Sequence, residues 1–280
     1  MENIVSERIK KYQQEKGLNY LNASREVVQE ITLYALSTTD FFDIACFCGG
    51  TALRIAYGLS RASEDLDFSA TKPLDNFSFK KYFPSIEKIF SQLGIEVNLS
   101  EKKTIGSVKS AFLKNNTLTN ELYVESELGS FPSLKIKLEI DTNPPEGATY
   151  EYKTSLFPFP HRYLIQTISS LFSGKLHAIL CRNWTKGRDF YDYLFYLSKD
   201  ADINFGLLEN ALRQTGDYNL DNKLDFFILE SMLIKKIQSI NFDEAKSDCI
   251  RFINNADELS FWSVDLFTDV TKQYFKNHKH

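Results

Sequence analysis

Residues 47–69 read FCGGTALRIAYGLSRASEDLDFS, and the apolar period changes twice within them. The short apolar run Ile44–Cys48 ends at Gly49-Gly50, Thr51–Tyr57 has the pattern of a helix start, and Leu66–Phe68 alternates apolar, acidic, apolar. Strand, glycine turn, helix and strand follow in that order. Gly49, Gly50 and Thr51 therefore sit at a strand-to-helix turn, where an unhindered backbone and a helix N-terminus both present amide hydrogens to a phosphate. Asp65 and Asp67 flank Leu66 on the second strand and project from one face, because side chains two apart on a strand share a face. Two carboxylates so placed suit a hard divalent cation: magnesium takes one or two carboxylates and completes its shell with substrate phosphate oxygens. Paired ions about 4 Å apart organise the attacking and leaving oxygens of an in-line displacement. Glu139, on a later strand, adds a third acidic residue to this layout; alternatively it is a surface strand residue paired with Lys137.

Upstream, Val27, Val28, Ile31, Leu33, Tyr34 and Leu36 recur at helical spacing, which predicts a helix over Leu21–Ser37 with Asn22 as its capping residue. Downstream, Phe79–Leu93 reads as an amphipathic helix interrupted near Pro84, and strands are expected at Ile95–Leu99, Val108–Leu113 and Ser133–Asp141. The last is the clearest. Leu134, Ile136, Leu138 and Ile140 alternate with Lys135, Lys137, Glu139 and Asp141, so one face is apolar and the other charged. Pro144, Pro145, Gly147, Pro158 and Pro160 mark a connector, and the domain boundary is placed there, giving domains 1–160 and 161–280. Beyond it the pattern is helical at Tyr163–Cys181, Phe190–Leu197, Leu207–Leu212, Leu224–Ile240 and Val264–Phe275. The expected architecture is thus α+β: an N-terminal domain with a mixed sheet flanked by helices and a C-terminal helical domain.

The composition fits a folded chain of this kind, with 43% hydrophobic and 25% charged residues among 280. Its net charge of -4 is spread over both halves. There are 18 basic against 21 acidic residues through position 160, and 15 against 16 beyond it. A global positive field for nucleic acid is therefore excluded, and any contact with RNA or DNA must use a local patch. No stretch has the roughly 20 apolar residues of a membrane span, and no apolar run near Met1 resembles an export signal. The four cysteines form no CxxC pair, and they are read as structural thiols of a reducing cytoplasm. His161 and His177 have no second His or Cys at metal-ligand spacing. The aromatic run Phe190, Tyr191, Tyr193, Phe195 and Tyr196 reads as a core stripe rather than a base-stacking platform.

The stretch 47–69 resembles the signature of the AbiEii/AbiGii-type nucleotidyltransferases, within the DNA polymerase β-like superfamily. A second block agrees. Ser173–Arg182, SGKLHAILCR, followed by Lys186–Leu194, KGRDFYDYL, is similar to the family's downstream lysine motif and its Arg-Asp-aromatic-Tyr-Asp motif. The resemblance covers about residues 45–197, with the strand Ile136–Glu139 between its two motifs.

It implies a toxin-like or abortive-infection enzyme, often encoded with an antitoxin, that moves a nucleoside monophosphate from an NTP to an acceptor, with magnesium as cofactor. In characterised relatives that acceptor is tRNA. Carried onto this sequence, Asp65 and Asp67 match the metal-binding carboxylates. Gly49, Gly50 and Thr51 match the triphosphate-holding element, and Ser63 matches a common serine. Lys175 matches the lysine of the helical half, and Asp189 the acidic residue of the last motif. Glu139 matches the third carboxylate, with Asp141 competing on the same face. Arg54 follows the glycines and is a candidate phosphate contact, or else a partner for Asp65 or Glu64. A protein or small-molecule acceptor, and a nucleotide-dependent binding protein without catalysis, are the rival expectations.

Overall fold

A computed structural model describes residues 4–102, 117–125, 134–216 and 223–278. In chain order the first part comprises α1 (Ile4–Lys16), α2 (Tyr20–Ser37), α3 (Phe41–Ile44), β1 (Ala45–Cys48), α4 (Gly49–Tyr57), β2 (Leu66–Ala70), α5 (Phe83–Gln92), β3 (Glu96–Lys102), β4 (Thr117–Glu125), β5 (Leu134–Asp141), β6 (Tyr150–Ser155) and β7 (His161–Gln166). Then follow α6 (Ile168–Cys181), α7 (Gly187–Ser198), α8 (Phe205–Thr215), α9 (Phe226–Gln238), α10 (Phe242–Cys249) and α11 (Val264–His278). The chain divides into two compact units. Described residues through 144, together with 150–166, form the first; 145–149 and the described residues from 167 form the second.

The first unit is built on one seven-stranded mixed sheet in the order β3-β4-β5-β2-β1-β7-β6. β1 runs antiparallel to β2 and parallel to β7, and β2 runs parallel to β5. The motif-bearing strands β1 and β2 are thus central. Their alternation sorts the side chains by face. Phe47, Phe68, Leu138 and Ile140 are buried, and the rings of Phe47 and Phe68 lie 5.7 Å apart. Phe68 also meets Phe41 edge-on at 4.8 Å, and Phe41 packs in turn on Phe79 and Tyr82. This aromatic core fixes the register, since a one-residue slip would turn the apolar set outward.

Among the polar side chains that α2 buries are Glu26 and Glu30. Each has cations from other helices. Glu26 takes Lys16 and, at 2.9 Å, Arg54. Glu30 takes Arg8 at 3.0 Å and the Tyr12 hydroxyl at 2.7 Å. The ion pairs tie α1 and α4 to α2. Burial raises the Glu30 carboxyl above its ordinary range, against the opposing pull of Arg8.

The second unit's described helices enclose an aromatic core. Phe190, Tyr193 and Tyr196 are nearly fully buried, with Tyr196 stacked on Phe172 at 4.6 Å and Phe190 edge-on to Phe267 at 5.5 Å. The aromatic run of α7 is a core stripe, as its spacing suggested.

Three expectations change. Tyr163–Gln166 is strand rather than the start of a helix: Tyr163 and Ile165 alternate inward and pair β7 with β1 and β6. β6 lies inside the proline-rich connector. Its polar sequence gives no apolar alternation because it is the sheet's edge. The stretch Phe79–Leu93 is divided near Pro84 as its sequence suggested: Phe79–Lys81 forms a 3-10 turn, and Pro84 stands in the first turn of α5, where a proline lacks only an amide that has no helical partner. Asn19, not Asn22, caps α2; its side chain accepts from the Asn22 amide at 2.8 Å. The strand expected at Val108–Leu113 lies outside the described residues.

Candidate active site

Gly49 opens α4 with φ of +76°, in the left-handed region that glycine tolerates. A methyl group there would sit 2.4 Å from an Asp67 carboxylate oxygen, so the backbone of the turn and the carboxylate of β2 are in direct apposition. A methyl at Gly50 would meet the Arg61 guanidinium at 2.7 Å and the Ser63 hydroxyl at 3.3 Å. Gly49 is required by its backbone conformation and by the closeness of Asp67, whereas at Gly50 the nearest atom is the mobile end of the Arg61 side chain. Thr51 is fully buried. Its hydroxyl donates to the Asp65 carbonyl and lies 2.8 Å from the Ser63 hydroxyl, while Gln29 donates to the Ser63 carbonyl at 3.1 Å. Thr51 and Ser63 therefore bind the start of α4 to the approach of β2 and hold the two aspartates against the turn.

Asp65 and Asp67 are half-buried around the buried Leu66. In the ladder Asp67 stands beside Cys48 on one side and Glu139 on the other, with Asp141 beside Ser69. The charges are felt at Cys48. Burial pushes its thiol well above the ordinary range, and Cys46 and the carboxylates of Asp67, Asp141 and Glu139 add to the shift. Glu139 itself is ion-paired with Lys137 at 2.7 Å. Among the described residues no three His, Cys, Asp or Glu side chains are arranged to hold a metal together. The register thus brings Glu139 next to Asp67, but its carboxylate is turned to a lysine on its own strand.

The expected phosphate contact Arg54 is occupied elsewhere. Its side chain is buried against Glu26, and it donates to the Leu59 carbonyl at 2.9 Å and to the Ser60 carbonyl at 2.5 Å. It closes the end of α4 rather than serving the turn. The cation that does approach the turn is Arg61, 3% exposed, which also donates to the Ala62 carbonyl at 2.9 Å. Its place beside the glycines was not legible in the sequence.

The second unit contributes a separate charged cluster. Lys175 of α6 donates to Asp189 at 2.7 Å and lies 2.9 Å from Asp192, both on α7. Arg182 reaches the other oxygen of Asp189 at 3.2 Å. Asp189 is 3% exposed and Asp192 fully buried. Burial acts to raise the Asp189 carboxyl, yet Lys175, Arg182 and Lys186 outweigh it and hold the group well below the usual carboxylate range. Lys186 is itself pulled down to about 8, first by burial and then by Lys175, Arg182 and Arg188, against the pull of Asp189. The structure so joins Lys175, Arg182 and Asp189. Asp192, to which the sequence assigned no role, is the second anchor of Lys175.

Comparison with known proteins bears on this pair of motifs. The sequence matches, over residues 31–269, the family described as nucleotidyl transferase AbiEii toxin of type IV toxin–antitoxin systems. The chain belongs to the AbiEii nucleotidyltransferase family. The match spans both units and every candidate residue named above.

Two solved structures share the fold of this AbiEii-family chain. One is a candidate nucleotidyltransferase from Helicobacter pylori, with 19% identity, a TM-score of 0.56 and coverage of 93% of this chain and 97% of that one. The other is JHP933 from Helicobacter pylori, with 18% identity, a TM-score of 0.53 and coverage of 93% and 94%. No curated protein matches the sequence significantly. No helix among the described residues is long and apolar enough to cross a membrane.

Proposed function

We propose that this AbiEii-family transferase moves a nucleoside monophosphate from an NTP to a hydroxyl of an RNA acceptor of the tRNA class. In the reaction the acceptor oxygen bonds to the α-phosphorus, the bond from that phosphorus to the β-phosphoryl oxygen breaks, and pyrophosphate leaves; the hydroxyl proton passes to solvent. The observation that carries the reading is the apposition of the Gly49-Gly50 turn with Asp67. It sets a helix N-terminus, which attracts phosphate, against a carboxylate suited to a cation.

Asp65 and Asp67 are hard oxygen donors on one face, and they fit a magnesium ion that shares phosphate oxygens. When bound, that ion would offset the charge that develops on the transferring phosphate. In this reading Gly49 and Gly50 offer amides to the triphosphate, and Thr51 and Ser63 keep the turn and Asp65 in register. Lys175 supplies a positive charge in a fixed position, held by Asp189 and Asp192. Glu139, beside Asp67 in the ladder and ion-paired with Lys137, is the proposed third carboxylate of the set. A cognate antitoxin is the partner proposed from the family, and the cytoplasm the proposed compartment.

The test incubates the protein with magnesium and each α-labelled NTP, with and without cellular RNA, beside the Asp67→Ala variant. Label in tRNA-sized RNA, absent with the folded variant, is the expected result and reveals the base preference. Label confined to protein would move the acceptor to a protein hydroxyl. Unchanged transfer by Asp67→Ala would remove the carboxylate from the chemistry.

A further inference from the structure

The segment that joins α6 to α7 is pinned at both ends. At its start the Arg182 carbonyl accepts from Lys236 at 2.7 Å, while the Arg182 side chain is held by Asp189. At its end a methyl on Gly187 would lie 1.7 Å from the Ala245 carbonyl oxygen, so α7 is seated directly on α10. The next amide, Arg188, donates to Asp248 at 3.3 Å, and its guanidinium lies over Phe252 at 4.0 Å. Between these anchors Trp184 is 51% exposed. Tryptophan is ordinarily well buried because its ring offers so much apolar area. The second of the chain's two tryptophans, Trp262, is 4% exposed and packs edge-on to Phe267.

The indole has a definite setting. The Arg182 guanidinium lies 5.0 Å from its ring centroid, and the same guanidinium is bonded to Asp189, the partner of Lys175. The ring is thereby coupled to the charged cluster through one side chain. Lys175, Arg182 and Lys186 act electrostatically on Asp189, and Arg188, which acts on Lys186, pairs with Asp248; with Asp192 the cluster holds four cations against three carboxylates. A ligand matched to these features has a flat π-system for the indole and negative charge for the cations. An apolar protein surface would satisfy the ring and desolvate the cations.

We propose that Trp184 is a nucleobase-stacking platform of the second unit, which takes the base of a nucleotide whose phosphate is drawn to the Lys175–Arg182–Lys186 cluster. The inference rests on the nucleotidyl-transfer reading for the chemical class of its ligand, whose source is either the incoming NTP or a nucleotide of the acceptor RNA. The preformed Arg182 contact presents the ring in one orientation and lowers the ordering cost of stacking.

The protein supplies its own probe. In a Trp262→Phe variant the emission of Trp184 is isolated, and it is titrated with each NTP, with a short single-stranded RNA and with inorganic tripolyphosphate. Saturable quenching by NTP or by RNA, and none by tripolyphosphate, is expected; the arm that quenches identifies the source of the base. In the otherwise unchanged protein, Trp184→Ala should raise the KM for that same ligand about 10-fold, in keeping with base–aromatic stacking. Trp184→Phe should restore most of the loss, and kcat should change little in either. No quenching by NTP or RNA, or an unchanged KM in Trp184→Ala, would overturn the platform and leave the indole to a protein partner. Quenching without transfer to any acceptor would leave the platform standing and defeat the transferase reading instead.

Discussion

Lys175 shows how a single side chain can be placed by the residues around it. Two carboxylates on one helix hold it, and one of them, Asp192, has no solvent exposure. Lys175→Met should lower transfer about 100-fold, the usual scale for loss of a fixed charge-stabilising donor. It should also cost about 3 kcal/mol, because a buried carboxylate loses its partner; urea midpoints and initial rates separate the two effects. The neighbouring groups make the cluster sensitive to pH in two directions. The Asp189 carboxyl is lowered in the fold, so the stability it contributes is present above the carboxyl's unfolded value near 4 and is lost as pH falls below that. Urea midpoints at pH 7 and pH 3 should differ more in the native protein than in Asp189→Asn. Lys186 titrates near 8. As pH rises through that value its charge disappears, so the KM for NTP should climb above pH 8, and Lys186→Arg should flatten the climb. At this scale the sequence was legible where chemistry is local. Asp65, Asp67 and the glycines are spaced by strand and turn geometry alone. Arg54 was not, because its partner Glu26 lies on a different helix and nothing in a local pattern reports burial. Asp192 and Trp184 show the same limit with opposite signs: nothing in a local pattern reports that this acid is enclosed or that this aromatic is exposed.

At the scale of elements, two glycines carry different burdens. Gly187 permits α7 to lie against α10, and Gly187→Ala would force a methyl into the Ala245 carbonyl. A loss of about 3 kcal/mol is expected, read from the urea midpoint, since backbone cannot retreat as a flexible side chain does. Gly49→Ala meets both an unfavourable φ and the Asp67 carboxylate. Its larger consequence should be catalytic, with transfer falling well beyond what the change in stability accounts for. The central strands were legible from apolar runs bounded by glycine and acid. β6 and β7 were not. β6 is a polar edge, and the inward alternation of Tyr163 and Ile165 merges into the apolar start of α6, so a helical period absorbs it. The fold class was readable nonetheless, because β5 and the helices after Ile168 each keep one period throughout.

For the whole molecule, charge limits how RNA is engaged. A chain with a net charge of -4 cannot draw a polyanion by its overall field, so Lys175, Arg182, Lys186 and Arg188, the four cations of the cluster around Asp189 and Asp248, set the scale of a local contact there. The logarithm of the RNA binding constant should fall against the logarithm of salt with a slope no steeper than about -3 for a single-stranded end; filter binding at several ionic strengths measures it. The buried pairs of the first unit have a different consequence, concerning inheritance. The recognisable family span starts at residue 31, in the middle of α2. The residues before it lie outside the match, yet Glu26 there is the counter-charge of Arg54, inside the span. A chain shortened to begin at residue 31 would keep each motif while stranding that guanidinium and stripping Val27 and Val28 from the core. Circular dichroism of such a fragment is expected to lack a cooperative melt. The portion of the polypeptide recognisable as kin is therefore smaller than the portion whose side chains complete the core and the ion pairs of the first unit.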